Sequence, residues 1–156
     1  MDNLMRQRTG SCHCGNVTYE LGWPDDLPLV PRRCSCTFCA KHSPVYVGHP
    51  RASLSVVARD PSAISKYEFG TRTALFHCCT NCGVFLFATC VIDDREYAVL
   101  NANTLDGLAP PVTETRNYDG EEVTDRLARR GTSWIANFTM SGLEVSPPPS
   151  AAAMTG

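Results

Sequence analysis

Seven of the nine cysteines fall in three short clusters: Cys12-His13-Cys14-Gly15, Cys34-Ser35-Cys36-Thr37-Phe38-Cys39 and Cys79-Thr80-Asn81-Cys82-Gly83. Thiolates this close together in sequence can converge on one soft cation. A C-x-x-C or C-x-C turn brings two sulfurs onto a metal at about 2.3 Å, the zinc–thiolate distance. A glycine directly after the second cysteine helps the turn close, because it alone adopts positive φ without steric cost, and Gly15 and Gly83 stand in that place. A disulfide framework is disfavoured by the odd cysteine count, the very short spacings and the absence of an apolar export segment in the first residues.

The clusters imply two kinds of site. Cys12 and Cys14 with Cys79 and Cys82 complete a four-thiolate set, which leaves no position for a substrate and contributes to folding. Cys34, Cys36 and Cys39 supply only three sulfurs, so a tetrahedral ion held there keeps one position open. A dication with three thiolates is a weak Lewis acid and suits a fourth sulfur, such as a substrate thiolate, better than an activated water. Sulfur chemistry is therefore the expectation for the second cluster. Its alternatives are a closed zinc site completed by His42, His49 or a remaining cysteine, and a redox thiol cluster. Cys78 and Cys90 read as small buried apolar residues rather than ligands.

Proton transfer beside the three-cysteine site needs a titratable group. His42 lies three residues beyond Cys39 and carries an imidazole whose unperturbed pKa of about 6.5 suits the task. Its competing reading is an exposed polar loop residue. Lys41, Arg32 and Arg33 are candidates to receive carboxylates, whereas Arg126, Arg129 and Arg130 read as a local charge cluster.

These clusters must be held by turns between strands. Val17 to Leu21, Leu54 to Ala58, Phe85 to Thr89 and Tyr97 to Asn101 are β-branched, aromatic or aliphatic runs bounded by breakers such as His49-Pro50, Asp60-Pro61 and Asp106-Gly107. Helix is expected only in a short stretch after Cys39 and around Glu121 to Arg130. The expected class is mainly β: a small zinc-stapled fold with short helical segments. Residues 1–145 read as a single domain, and 146–156, rich in proline and small residues, as a flexible tail.

Composition narrows the partners. A formal net charge of -2 and no long block of lysine and arginine give no electrostatic footprint for nucleic acid. No apolar run approaches the roughly 20 residues of a membrane span, so a cytoplasmic protein is expected.

Three linked segments carry a resemblance: Gly10-Ser11-Cys12-His13-Cys14-Gly15-Asn16-Val17, Cys34-Ser35-Cys36-Thr37-Phe38-Cys39, and Phe76 to Phe87 containing Cys79-Thr80-Asn81-Cys82-Gly83. In order and spacing, over roughly residues 8 to 105, they resemble the glutathione-dependent formaldehyde-activating enzyme family. The resemblance implies a β-tent fold, a structural zinc on Cys12, Cys14, Cys79 and Cys82, and a second, catalytic zinc on Cys34, Cys36 and Cys39. It implies a carbon–sulfur lyase acting on a glutathione or other thiol conjugate. The alternatives are a synthase of the glutathione–formaldehyde adduct and a non-catalytic zinc module that binds a protein partner. Ala40-Lys41-His42-Ser43-Pro44 and Cys78 depart from the family pattern, and the region beyond Asp106 matches it poorly. Substrate-specific walls are expected there.

Overall fold

The structure, a computed structural model, describes residues 4–107, 111–112 and 114–142. The expected tail at 146–156, and the domain boundary before it, lie outside the described residues.

Alternation builds the first sheet. In β2 (Val17–Pro24) the side chains of Val17, Tyr19, Leu21 and Trp23 are buried while Thr18 and Glu20 face solvent, the period-2 pattern of a strand with one covered face. It pairs antiparallel with β1 (Met5–Ser11) on one side and β5 (Ser53–Ala58) on the other. A last strand, β11 (Asn137–Gly142), joins β5 in parallel, giving the order β1-β2-β5-β11.

The second sheet has seven strands. They are β3 (Arg32–Cys34), β4 (Tyr46–Val47), β6 (Ile64–Tyr67), β7 (Leu75–Cys79), β8 (Phe85–Ile92), β9 (Arg95–Asn101) and β10 (Glu114–Arg116). Their order is β10-β3-β4-β9-β8-β7-β6. The hairpin from β8 to β9 turns on Asp93 and Asp94, both at positive φ, the backbone that a two-residue turn of matching twist requires.

β8 reads as a nearly continuous apolar run because both its faces are covered. Leu86 and Phe87, with Ala98 and Leu100 of β9, pack into the core shared with Val17, Leu21 and Leu54 of the first sheet. Phe85, Ala88 and Cys90, with Val99 of β9, point the other way into a second cluster that holds Cys39, Tyr46 and Trp134. A register shift at His77/Cys78 lets Leu86 and Phe87 serve the same core.

Two helices complete the second cluster. α1 (Thr37–His42) follows β3, and α2 (Val123–Ser133) packs through Leu127, Arg130 and its C-terminal neighbour Trp134. After α2, backbone bonds between Ala98 and Ile135 return the chain to β9 before it crosses into β11. Among the described residues no helix is long and apolar enough to cross a membrane.

Candidate metal centres and the cleft

The four-cysteine cluster forms where two turns from different sheets meet. Cys12 and Cys14 lie between β1 and β2; Cys79 ends β7 and Cys82 sits in the turn to β8. Each turn closes on its own backbone: the Gly15 amide donates to the Cys12 carbonyl and the Gly83 amide to the Cys79 carbonyl at 2.7 Å. Gly15 and Gly83 both adopt positive φ, 82° and 78°. The four-cysteine group thus bridges the two sheets.

Two further contacts fix the first turn. The Asn16 side chain exchanges hydrogen bonds with Asp60, accepting from its amide at 2.8 Å and donating to its carbonyl at 3.1 Å. Gly10 leaves room for the Tyr19 phenol and the Thr104 carbonyl, both of which a Cβ would strike. The motif around Cys12 is therefore largely packing that aims two sulfurs.

Those sulfurs fit a tetrahedral cation. Bonds of about 2.3 Å require sulfur–sulfur edges of roughly 3.8 Å. The Cys12 and Cys14 sulfurs are 3.7 Å apart, Cys14 and Cys79 3.6 Å, and all four lie within 4.8 Å of one another. Burial pushes the Cys79 thiol up to about 12. At Cys82 burial acts the same way, but the backbone at Cys14 and Val84 and the neighbouring thiols outweigh it and hold the group near 6. Four sulfurs this close share protons unless a cation replaces them.

The second cluster is built at the junction of β3 and α1. Cys34 is the last residue of β3, Cys36 caps α1 by accepting from the Cys39 amide at 3.4 Å, and Cys39 is buried inside the helix. The helix starts at Thr37, before Cys39 rather than after it as the sequence suggests. The three sulfurs lie within 4.8 Å of one another, so this group too could hold a metal ion. The neighbouring Cys39 thiol holds Cys34 at about 6 against the effect of burial, and the same pairing drives Cys39 up. The Tyr46 hydroxyl lies 3.1 Å from the Cys39 sulfur, and burial beside these sulfurs raises its pKa.

The two clusters differ in what lies beside them. Cys34, Cys36 and Cys39 open onto a cleft of about 440 Å³. Its apolar lining includes Phe69, Phe76, Val99 and Trp134, and β10 and α2 also contribute residues to it. Six arginines line it, Arg32, Arg33, Arg116, Arg126, Arg129 and Arg130, against the carboxylates of Asp119, Glu121 and Glu122.

His42 is elsewhere. It is exposed at the end of α1, its ring packed at a tilt on Phe38 with ring centres 4.4 Å apart, and it is not among the residues lining the cleft. Residues four apart share a helix face more closely than residues three apart, so His42 follows Phe38 rather than Cys39. His49 accepts a hydrogen bond from the Arg51 amide in a turn, and His77 is buried against Phe87. Neither lines the cleft.

The arginines of α2 were visible in the sequence only as a local cluster. Their spacing at 126, 129 and 130 is one helix face, but that they line the cleft with the cysteines depends on long-range contacts on either side of the helix, the β10–β3 pairing before it and the Ala98–Ile135 bonds after it. Cys78, adjacent to Cys79, joins the second apolar cluster, and Cys90 is buried beside Arg130, so neither extends a metal group.

A crystal structure of a Rhodobacter sphaeroides protein is 25% identical, over 69% of this chain and 99% of that one, with a TM-score of 0.49. The family model for the glutathione-dependent formaldehyde-activating enzyme matches residues 7–118, which include all seven clustered cysteines. The chain belongs to the glutathione-dependent formaldehyde-activating enzyme family.

Proposed function

We propose that this protein is a zinc enzyme that makes or breaks a carbon–sulfur bond to glutathione or a related thiol, the substrate sulfur lying beside Cys34, Cys36 and Cys39. One observation carries the reading: four cysteines close on one another, whereas three open onto a cleft large enough for a small molecule. The donor set of each cluster suits zinc. Cys12, Cys14, Cys79 and Cys82 would hold an ion that acts in folding. An ion on Cys34, Cys36 and Cys39 would supply a soft position that stabilises a substrate thiolate.

The chain's own groups do the rest. Tyr46, whose pKa is raised by burial, lies 3.1 Å from the Cys39 sulfur and would donate to it as a metal-bound thiolate, fixing that side chain. Phe76, Val99 and Trp134 exclude water from one side of the cleft. Arg32 and Arg33, just before Cys34 on β3, line the same space and suit the carboxylates of a glutathione moiety.

In the cleavage direction, a hydroxymethyl thioether loses its hydroxyl proton, the carbonyl forms, and the carbon–sulfur bonding pair returns to sulfur as thiolate. Synthesis is the reverse. The acceptor for that proton is better sought at Asp119 than at His42. Asp119 lines the cleft, and its charge acts on the Cys34 thiol.

The test is thiol release. The zinc-loaded protein, incubated with S-hydroxymethylglutathione and other glutathione conjugates, should liberate free thiol above the uncatalysed rate, and Cys36→Ser should abolish the gain. Undiminished release by Cys36→Ser would overturn the assignment. Tight metal binding with neither release nor glutathione affinity would favour the non-catalytic module instead.

A further inference from the structure

We propose that Arg130 is a carboxylate-recognition residue that selects acidic thiols over neutral ones, an inference that rests on the thiol-substrate reading above. α2 lies wholly beyond the family-matched residues 7–118, so membership of the family assigns it nothing.

Arg130 is a buried cation with no carboxylate partner among the described residues. Arg130 is 6% exposed yet lines the cleft. Its Nη1 donates to the Thr73 hydroxyl at 2.8 Å and reaches the Cys90 sulfur at 3.4 Å, while its Nε has no partner. Hydroxyl and thiol offer lone pairs but no carboxylate charge. A buried guanidinium stays protonated; burial presses most against its charge, the Cys90 sulfur offsets part of that, and the nearby Arg129 and Arg126 add to it. A buried cation without a counter-ion is costly unless something supplies one.

Its neighbours show that the vacancy is specific. Glu121 grips Arg129 through both carboxylate oxygens, at 3.1 and 3.2 Å, and that guanidinium also lies 3.4 Å from the Tyr118 ring centre. Arg126 is 4.0 Å from the same carboxylate and donates to the carbonyls of Tyr118 and Glu121. Among the described residues, the carboxylate that pairs with arginines of this helix is Glu121, and it is taken up by Arg129 and Arg126. Arg130 is held over Trp134, its guanidinium 4.9 Å from the ring centre, with a fork position unfilled.

A singly charged carboxylate fits better than a phosphate dianion, because Asp119, Glu121 and Glu122 line the same cleft and oppose a second negative charge. The sulfur end of the ligand would lie at the cysteines, and a carboxylate some atoms away would complete Arg130. Neutral thiols of similar size would leave the cation as it stands, and would bind less well.

Calorimetric titration of the zinc-loaded protein with glutathione and with glutathione diethyl ester, which keeps the thiol and loses both carboxylates, tests this. The ester should bind roughly tenfold or more weakly, as expected for a lost bond to a charged group. In Arg130→Gln the ratio should shrink, and in Arg130→Lys, which keeps the charge but not the fork, it should be intermediate. Equal binding of acid and ester to the wild type overturns the proposal and leaves the thiol reading intact. An unchanged ratio in folded Arg130→Gln also overturns it. If neither ligand binds, the thiol reading fails and this inference with it. If the Gln variant does not fold, the Lys variant takes its place, and an unchanged ratio there overturns the proposal, since Arg32 and Arg33 line the same cleft and a weaker ester in the wild type does not single out Arg130.

Discussion

Replacing Cys82 by serine should cost far more stability than the loss of one half-buried side chain. The four-sulfur cluster joins the β1–β2 turn to the β7–β8 turn, and Cys14 and Cys79 are 65 residues apart. Treating the metal as a cross-link, closing a loop of that length removes about 4 kcal/mol of unfolded-chain entropy. In a domain of this size each kcal/mol moves the melting midpoint by roughly 2–4 °C, so the expected fall in Tm is about 8–16 °C. Thermal melts by circular dichroism, with metal content measured by mass spectrometry on the same samples, read both quantities. Cys78→Ser is the control, since Cys78 belongs to the apolar cluster on the other face of β7 and not to the metal group. A Cys82→Ser protein that kept its metal and melted within about 2 °C of wild type would refute the cross-link argument.

Cys36→Ser should lose one metal equivalent and the thiol chemistry with a much smaller fall in Tm, because its cluster spans only residues 34 to 39 and closes almost no loop; metal analysis and melting together check this. Tyr46→Phe removes the hydroxyl 3.1 Å from the Cys39 sulfur and should weaken metal at that cluster by roughly tenfold to a hundredfold while leaving the four-cysteine ion in place, as competition with a chelator would show. Gly10→Ala drives a methyl group into the Tyr19 phenol and the Thr104 carbonyl and should destabilise by about 1–3 kcal/mol in a urea melt. Leu86→Ala, emptying a fully buried position in the core between the sheets, should cost about 2–5 kcal/mol in the same assay.

The strands and the cysteine groups were legible because their signals are local. Val17 to Leu21 alternates, Phe85 to Ala88 is continuously apolar, and glycine follows Cys14 and Cys82. The four strands expected from such runs all lie within β2, β5, β8 and β9. What was not legible depends on long-range pairing. The division into two sheets rests on β5 joining β2 and on β11 crossing back to β5 in parallel, and neither leaves a local mark. The cleft wall rests on three-residue β10 pairing with three-residue β3, segments too short to show periodicity. α2 also lacked an apolar stripe to announce its buried face, since the residue it buries deepest is Arg130. Short helices mislead in their own way: with Cys36 as the cap, α1 starts two residues before Cys39, and its last turn carries His42 round toward Phe38.

The most direct test of the account is a crystal structure of the zinc-loaded protein with glutathione bound. The account predicts an ion on Cys34, Cys36 and Cys39 with the glutathione sulfur as its fourth ligand at about 2.3 Å, and a second ion closed by Cys12, Cys14, Cys79 and Cys82 alone. A protein side chain in the fourth position at the three-cysteine cluster, with the glutathione sulfur elsewhere, would contradict it.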